Sequence, residues 1–350
     1  MADTMRAFRI PEWGAAPALD TIPIPEPGPG QVRIKVAGNG LCQSDLHMPE
    51  LPAALGSLLG WQMPFTLGHE VGGWIDRPGP GVTGLEEGQP VAIVSTRSCG
   101  ACLECEAGAD NTCDWNQRGR GYGMDGGIAE YLLLEHTRPI VPLDRLDPKL
   151  AGPYTDAGTT SYHAVALVKQ RLASGGTALV VGAGGLGGFA IQYLKLLTPA
   201  RVIVTEVDAA KRRRAHELGA DETLDAGAED PAGEIRRLTE GRGADAVLDF
   251  VGTDPTIATG VAALAKRGLL VLVGAGEGRL EGPLFGALAS RSASVTSFVG
   301  GTLADTRAAL ALADQGVLRN DVELFDLEDA GDAFAKLAAG KLAGRAVVTP

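Results

Sequence analysis

The chain has 350 residues, 45% hydrophobic and 21% charged, which is enough for two domains with substantial cores. Its net charge of −12, with no long Lys/Arg stripe to offset it, argues against a nucleic-acid or anionic-membrane partner. It has no basic N-terminal region leading into an apolar segment, and no apolar run near the ~18 residues of a membrane span. The expectation is a soluble, cytoplasmic protein.

Residues 1–40 read as β structure. A strand-like stretch covers 6–10, prolines 23, 25, 27 and 29 punctuate, and 32–36 alternates. Short strands between Pro-rich turns predict an antiparallel, barrel-like segment. Cys42, Ser44, Asp45 and His47 then crowd six positions with groups able to bind metal or move protons. Residues 48–63 are apolar and predicted irregular. Gly68-His69-Glu70 closes a turn before another β-like run at 71–75.

Residues 95–125 change character. Cys99, Cys102, Cys105 and Cys113 are spaced C-x₂-C-x₂-C-x₇-C among small residues. In a chain with no export signal, this clustering reads as metal rather than disulfides. Four thiolates suit a closed tetrahedral zinc site. An Fe–S cluster is the alternative, since C-x₂-C-x₂-C also occurs in ferredoxins, but no second run or Cys-Pro follows. Strand character returns at 128–134, and a helix is expected from Tyr154 to about Leu172.

From 177 to 273 strands and helices alternate. Strands are predicted at 177–182, 201–206, 222–225, 244–250 and 269–273, with helices at 185–197, 209–218, 231–240 and 256–266. That order implies a parallel sheet covered on both faces, an α/β doubly wound fold completed by a strand near 293–298. A helix (303–315), a strand (321–325), a helix (328–340) and a strand (345–349) close the chain. The first of these strand-to-helix turns carries Gly182, Gly184 and Gly187 as G-x-G-x-x-G. The first glycine allows the turn, the second lets a pyrophosphate approach, and the third lets helix and strand pack. The free N–H groups of the new helix would face the phosphates. Glu206, at the end of the second strand, can bind both ribose hydroxyls and repel a 2′-phosphate, which selects NAD. The basic run 211–214 could soften that preference.

Cys42 and His69 can also hold a metal if a third ligand comes from elsewhere. Three protein ligands and an open position make a catalytic zinc site, which lowers the pKa of an alcohol oxygen so that hydride can leave.

These motifs, in this order and across essentially the whole chain, resemble the zinc-dependent medium-chain alcohol dehydrogenases, most closely their bacterial secondary-alcohol branch. The resemblance rests on Gly40-Leu-Cys42-x-Ser44-Asp45, Gly68-His69-Glu70, the four-cysteine lobe, Gly182 to Gly187, Asp249-Phe-Val-Gly252 and Gly344-Arg345. It implies a GroES-like β-barrel catalytic domain (1–155 and 300–350, structural zinc lobe about 95–115) and a Rossmann NAD-binding domain (156–299). It implies two zincs per chain, one on Cys42, His69 and Asp156, and the other on the four cysteines. Asp156 stands where many members have cysteine. Ser44 and His47 match a proton relay, Glu70 a residue beside the zinc, and Asp45 the group that holds the His69 ring. Gly182, Gly184, Gly185, Leu186, Gly187, Glu206, Lys211, Val251, Gly252, Val273 and Arg345 match cofactor contacts, Arg345 on the pyrophosphate. The implied reaction is reversible oxidation of secondary and primary alcohols with hydride transfer to NAD, by a homotetramer. A polyol or amino-alcohol dehydrogenase is the rival enzyme, and a non-catalytic zinc- and dinucleotide-binding sensor the rival of another class.

Overall fold

Two patterns of apolar residues build two bodies in the computed structural model, which describes residues 3–282, 284–342 and 344–350. One body is Met1–Thr159 with Gly300–Pro350, and the other is Thr160–Val299.

In the first body, strands of three to nine residues, several buried along nearly their whole length, form a seven-stranded sheet. Its path runs Ile140–Pro142, Pro90–Ile93, Glu70–Pro78, Val32–Gly40, Arg345–Thr349 and Val322–Asp326, with Tyr131–Leu134 also paired to Val32–Gly40. The pairing of Val32–Gly40 with Glu70–Pro78 is antiparallel and shifts register twice, between Arg33 and Ile34 and between Val36 and Gly38. Such bulges bend a strand and tighten its twist. A three-stranded sheet, Ala18–Pro23, Thr4–Ile10 and Phe65–Thr66, stands beside it. Val32, Ile34, Val71, Ile75, Val91, Ile93, Leu132 and Leu134 form one core. A second surrounds Phe8, Ile10, Leu41, Trp61, Phe65 and Leu67. The residues just past Gly40 and just before Glu70 therefore sit together at one end of the paired strands.

The second body is a six-stranded parallel sheet. Its strand order is Glu222–Asp225, Arg201–Glu206, Thr177–Val181, Ala244–Asp249, Leu264–Leu272 and Ser294–Ser297. Numbered along the chain this is 3-2-1-4-5-6, the doubly wound order that places a ligand at the switch point beside the first strand. Leu179, Ile203, Val247 and Leu270 are fully buried, as a sheet covered on both faces requires.

Two expectations change. Residues 48–63 contain a short helix, Ala53–Leu58. The helix expected from Tyr154 starts earlier, at Pro148, and ends earlier, at Lys169. Asp147 caps it by accepting from Lys149 N at 2.9 Å, and Pro148 fills its first turn, where a missing N–H costs nothing. Its middle, Tyr154–Gly158, winds as a π-helix. This wide turn is a common way to re-aim a functional side chain, and it carries Asp156.

Candidate active site and metal centres

Cys42 immediately follows the strand Val32–Gly40 and Leu41, and caps the five-residue helix Gln43–His47. Its own N–H donates to Asp45 Oδ2 at 2.9 Å. The other oxygen of that buried carboxylate, Oδ1, lies 3.2 Å from His69 Nδ1. The ring is thereby turned so that Nε2 points the other way, 3.4 Å from Asp156 Oδ2. Gly68 makes the turn before it, with φ +97, and a Cβ there would come within 2.6 Å of Asn39 and Ile128.

Ligand atoms of Cys42, His69, Glu70 and Asp156 all lie within 4.8 Å of one another. His69 and Glu70 are 1% and 0% exposed. Burial pushes the Cys42 thiol up, helped by Asp156. Burial also raises the Glu70 carboxyl to about 7, against the pull of Arg345. Burial opposes ionisation of Asp156 too, but its hydrogen bond to His69 holds it down at about 2. A crowd of acidic groups away from water calls for a cation. One thiol, one imidazole and one carboxylate form a donor set that fits zinc, and the site meets the test of shape and chemistry.

The four cysteines pass the same test. Their sulfurs also lie within 4.8 Å of one another. Cys99 and Cys105 Sγ are 3.9 Å apart, and Cys102 and Cys113 Sγ 3.7 Å. Tetrahedral ligands at the usual Zn–S length stand about 3.8 Å apart. Backbone N–H groups of Cys99, Gly100 and Ala101 donate to these sulfurs at 3.3, 3.3 and 3.4 Å. They favour the thiolate form that a metal needs, and the Ala101 amide leads in pulling the Cys99 thiol down to about 6.

Of the proton-relay pair, Ser44 reaches the cluster and His47 does not. Ser44 Oγ shares a 2.8 Å hydrogen bond with Tyr122 Oη. The His47 side chain is 72% exposed and lies 3.9 Å from Glu50. Tyr122 escaped sequence reasoning. Its hydroxyl is also 3.3 Å from His69 Nε2, and its ring is 6.2 Å from Trp61, which in turn meets Phe65 edge-on. The available signal was the bracket Gly121-Tyr-Gly123, whose glycines both have φ +74. A Cβ at Gly123 would strike Trp61 at 2.3 Å.

Arg345 sits in this cluster. Its Nη2 donates to Glu70 Oε1, and it is 7% exposed. Gly40 leaves room for that carboxylate, since a Cβ there would overlap Glu70 Oε2 at 2.0 Å.

In the parallel-sheet body, Gly182 turns at φ +87, and its N–H donates to Thr205 O at 2.8 Å. A Cβ on Gly187 would meet Gly182 O at 1.9 Å, whereas one on Gly184 would meet nothing within 4 Å. The third glycine is thus demanded by packing, and the second faces open space of the kind a pyrophosphate fills. Gly185 and Leu186 open the 13-residue helix Gly185–Leu197, which no side chain caps. Glu206 is 8% exposed; its Oε2 accepts from Ala183 N at 2.9 Å and its Oε1 from Asp208 N at 3.0 Å. Lys211 N donates to Asp208 Oδ1. Arg212 spends its guanidinium on the carbonyls of Glu206 and Val207 and on Asp225. Asp249 Oδ1 accepts from both Val251 and Gly252 N at 2.9 Å, and its carbonyl accepts from Val273 N. These three candidate cofactor residues therefore share one anchor.

Such a thiol–imidazole–carboxylate cluster on a bulged β body, with a dinucleotide-type turn on a doubly wound sheet, defines a metal-dependent oxidoreductase. Comparison with known proteins agrees. Residues 28–145 match the alcohol dehydrogenase GroES-like domain and residues 185–315 the zinc-binding dehydrogenase domain. The NAD-dependent alcohol dehydrogenase of Sulfurisphaera tokodaii is 37% identical, covering 99% of this chain and 100% of that protein. The D-arabinose 1-dehydrogenase (NADP(+)) of Saccharolobus solfataricus is 31% identical over 99% of this chain and 97% of its own. The crystal structure of the alcohol dehydrogenase from Aeropyrum pernix superposes with a TM-score of 0.90 at 34% identity, covering 99% and 100% of the two chains. The chain belongs to the zinc-binding alcohol dehydrogenases of the medium-chain dehydrogenase/reductase superfamily.

Proposed function

We propose that the protein reversibly oxidises secondary and primary alcohols to ketones and aldehydes, with hydride transfer to NAD and one zinc in each of its two clusters. The observation that supports this most directly is the Cys42, His69 and Asp156 ligand set with the Ser44 hydroxyl beside it. A zinc ion held by those three residues supplies the Lewis acidity that acidifies an alcohol hydroxyl. NAD, held by the Gly182–Gly187 turn and Glu206, would supply the hydride acceptor.

The protein's own groups handle the proton and the orientation. Asp45 fixes the His69 ring so that Nε2 serves the metal. Once Nε2 is so engaged, the Tyr122 hydroxyl keeps only Ser44 as a partner. The Ser44 hydroxyl takes the substrate proton, because a hydroxyl can accept and donate in one step, and Tyr122 positions it. His47, on the exposed side of the same short helix, is the group that meets water and takes the final exchange. Glu70, neutralised by Arg345, sits close enough to the ligands to exchange with one of them. Arg345 is also the residue offered to the pyrophosphate. Gly182 to Gly187, Glu206, Lys211, Val251, Gly252 and Val273 hold the dinucleotide. Glu206 selects NAD because its carboxylate would repel a 2′-phosphate and Arg212 is already engaged.

Trp61 packs edge-on against Tyr122 and Phe65, so apolar rings stand behind the hydroxyl that reaches His69. That favours simple alcohols over polyols or sugars, although the D-arabinose 1-dehydrogenase relative keeps the polyol reading in play. A panel of alcohols, polyols and amino alcohols with NADH absorbance as readout tests the assignment. Turnover confined to polyols would replace it, and no turnover in a sample holding two zincs per chain would point to a sensor. We assign a homotetramer on resemblance alone. Light scattering measures this directly. A cytoplasmic location suits five unpaired cysteines; cell fractionation checks it.

A further inference from the structure

The side chain of Arg120 is 5% exposed. Its Nη2 donates to Val94 O at 2.7 Å, but its Nε has no partner. The carboxylates nearby are already taken. Glu135 pairs with Arg97 at 2.9 Å, and Asp110 with Arg138 at 3.4 Å. Asp110 accepts in addition from the N–H of Leu303. Among the described residues, no carboxylate forms an ion pair with Arg120. Three guanidinium groups therefore face two carboxylates, and one positive charge is left over in a buried place.

These groups surround a cavity. Arg97, Arg120, Arg138, Thr96, Ser98 and His136 line it, and it offers about 10 Å³ to the centre of a water-sized particle. That is room for one such particle and too little for phosphate or sulfate. The Nδ1 of His136 is buried and also without a partner. Burial and then Arg120 push the His136 ring toward its neutral form, and burial lowers even the Arg120 guanidinium to about 10. A buried cation with a free donor, next to a second free polar atom and a one-particle cavity, lacks its counter-charge.

We propose that this cavity binds one small monovalent anion of the halide class, held between Arg120 Nε and His136 Nδ1. His136 donates in its Nδ1–H tautomer. The anion neutralises the surplus guanidinium. Ser98, which adjoins Cys99, accepts from Arg138 Nε at 2.9 Å and so brings the base of the four-cysteine lobe to the cavity wall. A water in the same place would satisfy the hydrogen bonds and leave the charge unpaired.

The test uses the zinc-loaded full chain moved into chloride-free gluconate. Crystals soaked in sodium bromide, with data collected at the bromine edge, should give an anomalous peak in this cavity. In solution, chloride replacing gluconate at constant ionic strength should raise Tm by about 3 °C per tenfold once above its Kd. In Arg120→Met the rise and the peak should vanish. Should that variant fail to fold, the bromide map and the chloride–gluconate comparison on the unaltered chain decide. A cavity without an anomalous peak at saturating bromide overturns the proposal. So does a chloride effect that persists in Arg120→Met.

Discussion

Tyr122 and Ser44 are joined through their hydroxyls at 2.8 Å, although 78 positions separate them in the chain. The same tyrosine oxygen lies 3.3 Å from the metal-facing nitrogen of His69. The Ser44 hydroxyl is therefore held in one rotamer at the edge of the ligand cluster. Tyr122→Phe should lower kcat about tenfold, the effect of losing one hydrogen bond worth ~1.4 kcal/mol in the transition state. Zinc content and the KM for NAD should not change. Steady-state kinetics with metal analysis checks this, and an unchanged kcat would remove Tyr122 from the reaction.

Asp45 touches His69 and not the metal position. Asp45→Asn keeps the shape and halves the accepting power of the group. Affinity for the catalytic zinc should fall roughly 10–100-fold. Chelator competition followed by counting retained zinc measures it. The four-cysteine site should keep its ion in the same experiment.

Cys102→Ala should do the reverse. One zinc per chain should be lost and Tm should fall, because a structural metal contributes its binding energy to folding. Molecules that remain folded should still transfer hydride. A variant of full stability with no hydride transfer would contradict the division between the two clusters.

The chain should use NAD at least a hundredfold more efficiently than NADP, since the carboxylate of Glu206 would have to share its site with a 2′-phosphate. Glu206→Ser should narrow that ratio. Comparable kcat/KM for the two cofactors in the unaltered enzyme would refute the assignment of Glu206.

Asp314 accepts from three successive N–H groups, Asp144, Arg145 and Leu146, at 3.2, 2.9 and 2.6 Å. Burial opposes its ionisation, but those amides prevail and hold its pKa below the ordinary aspartate value. A depressed carboxylate contributes stability that is present above the unfolded pKa, near ~3.9, and is lost as pH falls through the folded value. Asp314→Asn should therefore destabilise the protein at pH 7 by about 1 kcal/mol, a modest figure because solvent still reaches and screens this half-buried group. The acid limb of a Tm-versus-pH curve below pH 4 should flatten. An unaltered acid limb would show that the amides find no better acceptor in the ionised form.

What could be read from the sequence was local. Gly182, Gly184 and Gly187 act within one turn, and the four cysteines within fifteen residues, so spacing alone reveals their geometry. The parallel strands carry their burial in composition, and their order follows from alternation with helices. Tyr122 and the pairing of Arg345 with Glu70 were hidden in different ways. Tyr122 lies in a glycine-flanked turn without periodicity, and nothing local says that it faces Ser44. Arg345 meets Glu70 across 275 positions, a contact set only by the pairing of the last strand with Val32–Gly40. The π-turn that presents Asp156 has no sequence signature of its own, since its residues would also suit a regular helix.

The partnership of Glu70 with Arg345 also sets an order of events during synthesis. The strand Arg345–Thr349 lies between Val32–Gly40 and Val322–Asp326 in the sheet. Until it emerges, Glu70 lacks its guanidinium partner, and nothing joins Val32–Gly40 to Val322–Asp326. The stretch Thr160–Val299 has its whole sheet in hand much earlier and can fold while the chain is still growing. A nascent chain thus passes through a stage with a finished nucleotide-type domain and an unfinished metal-type domain. Zinc binding at the Cys42, His69 and Asp156 cluster should therefore follow placement of that strand, and removing the strand should leave the protein metal-poor rather than merely less stable.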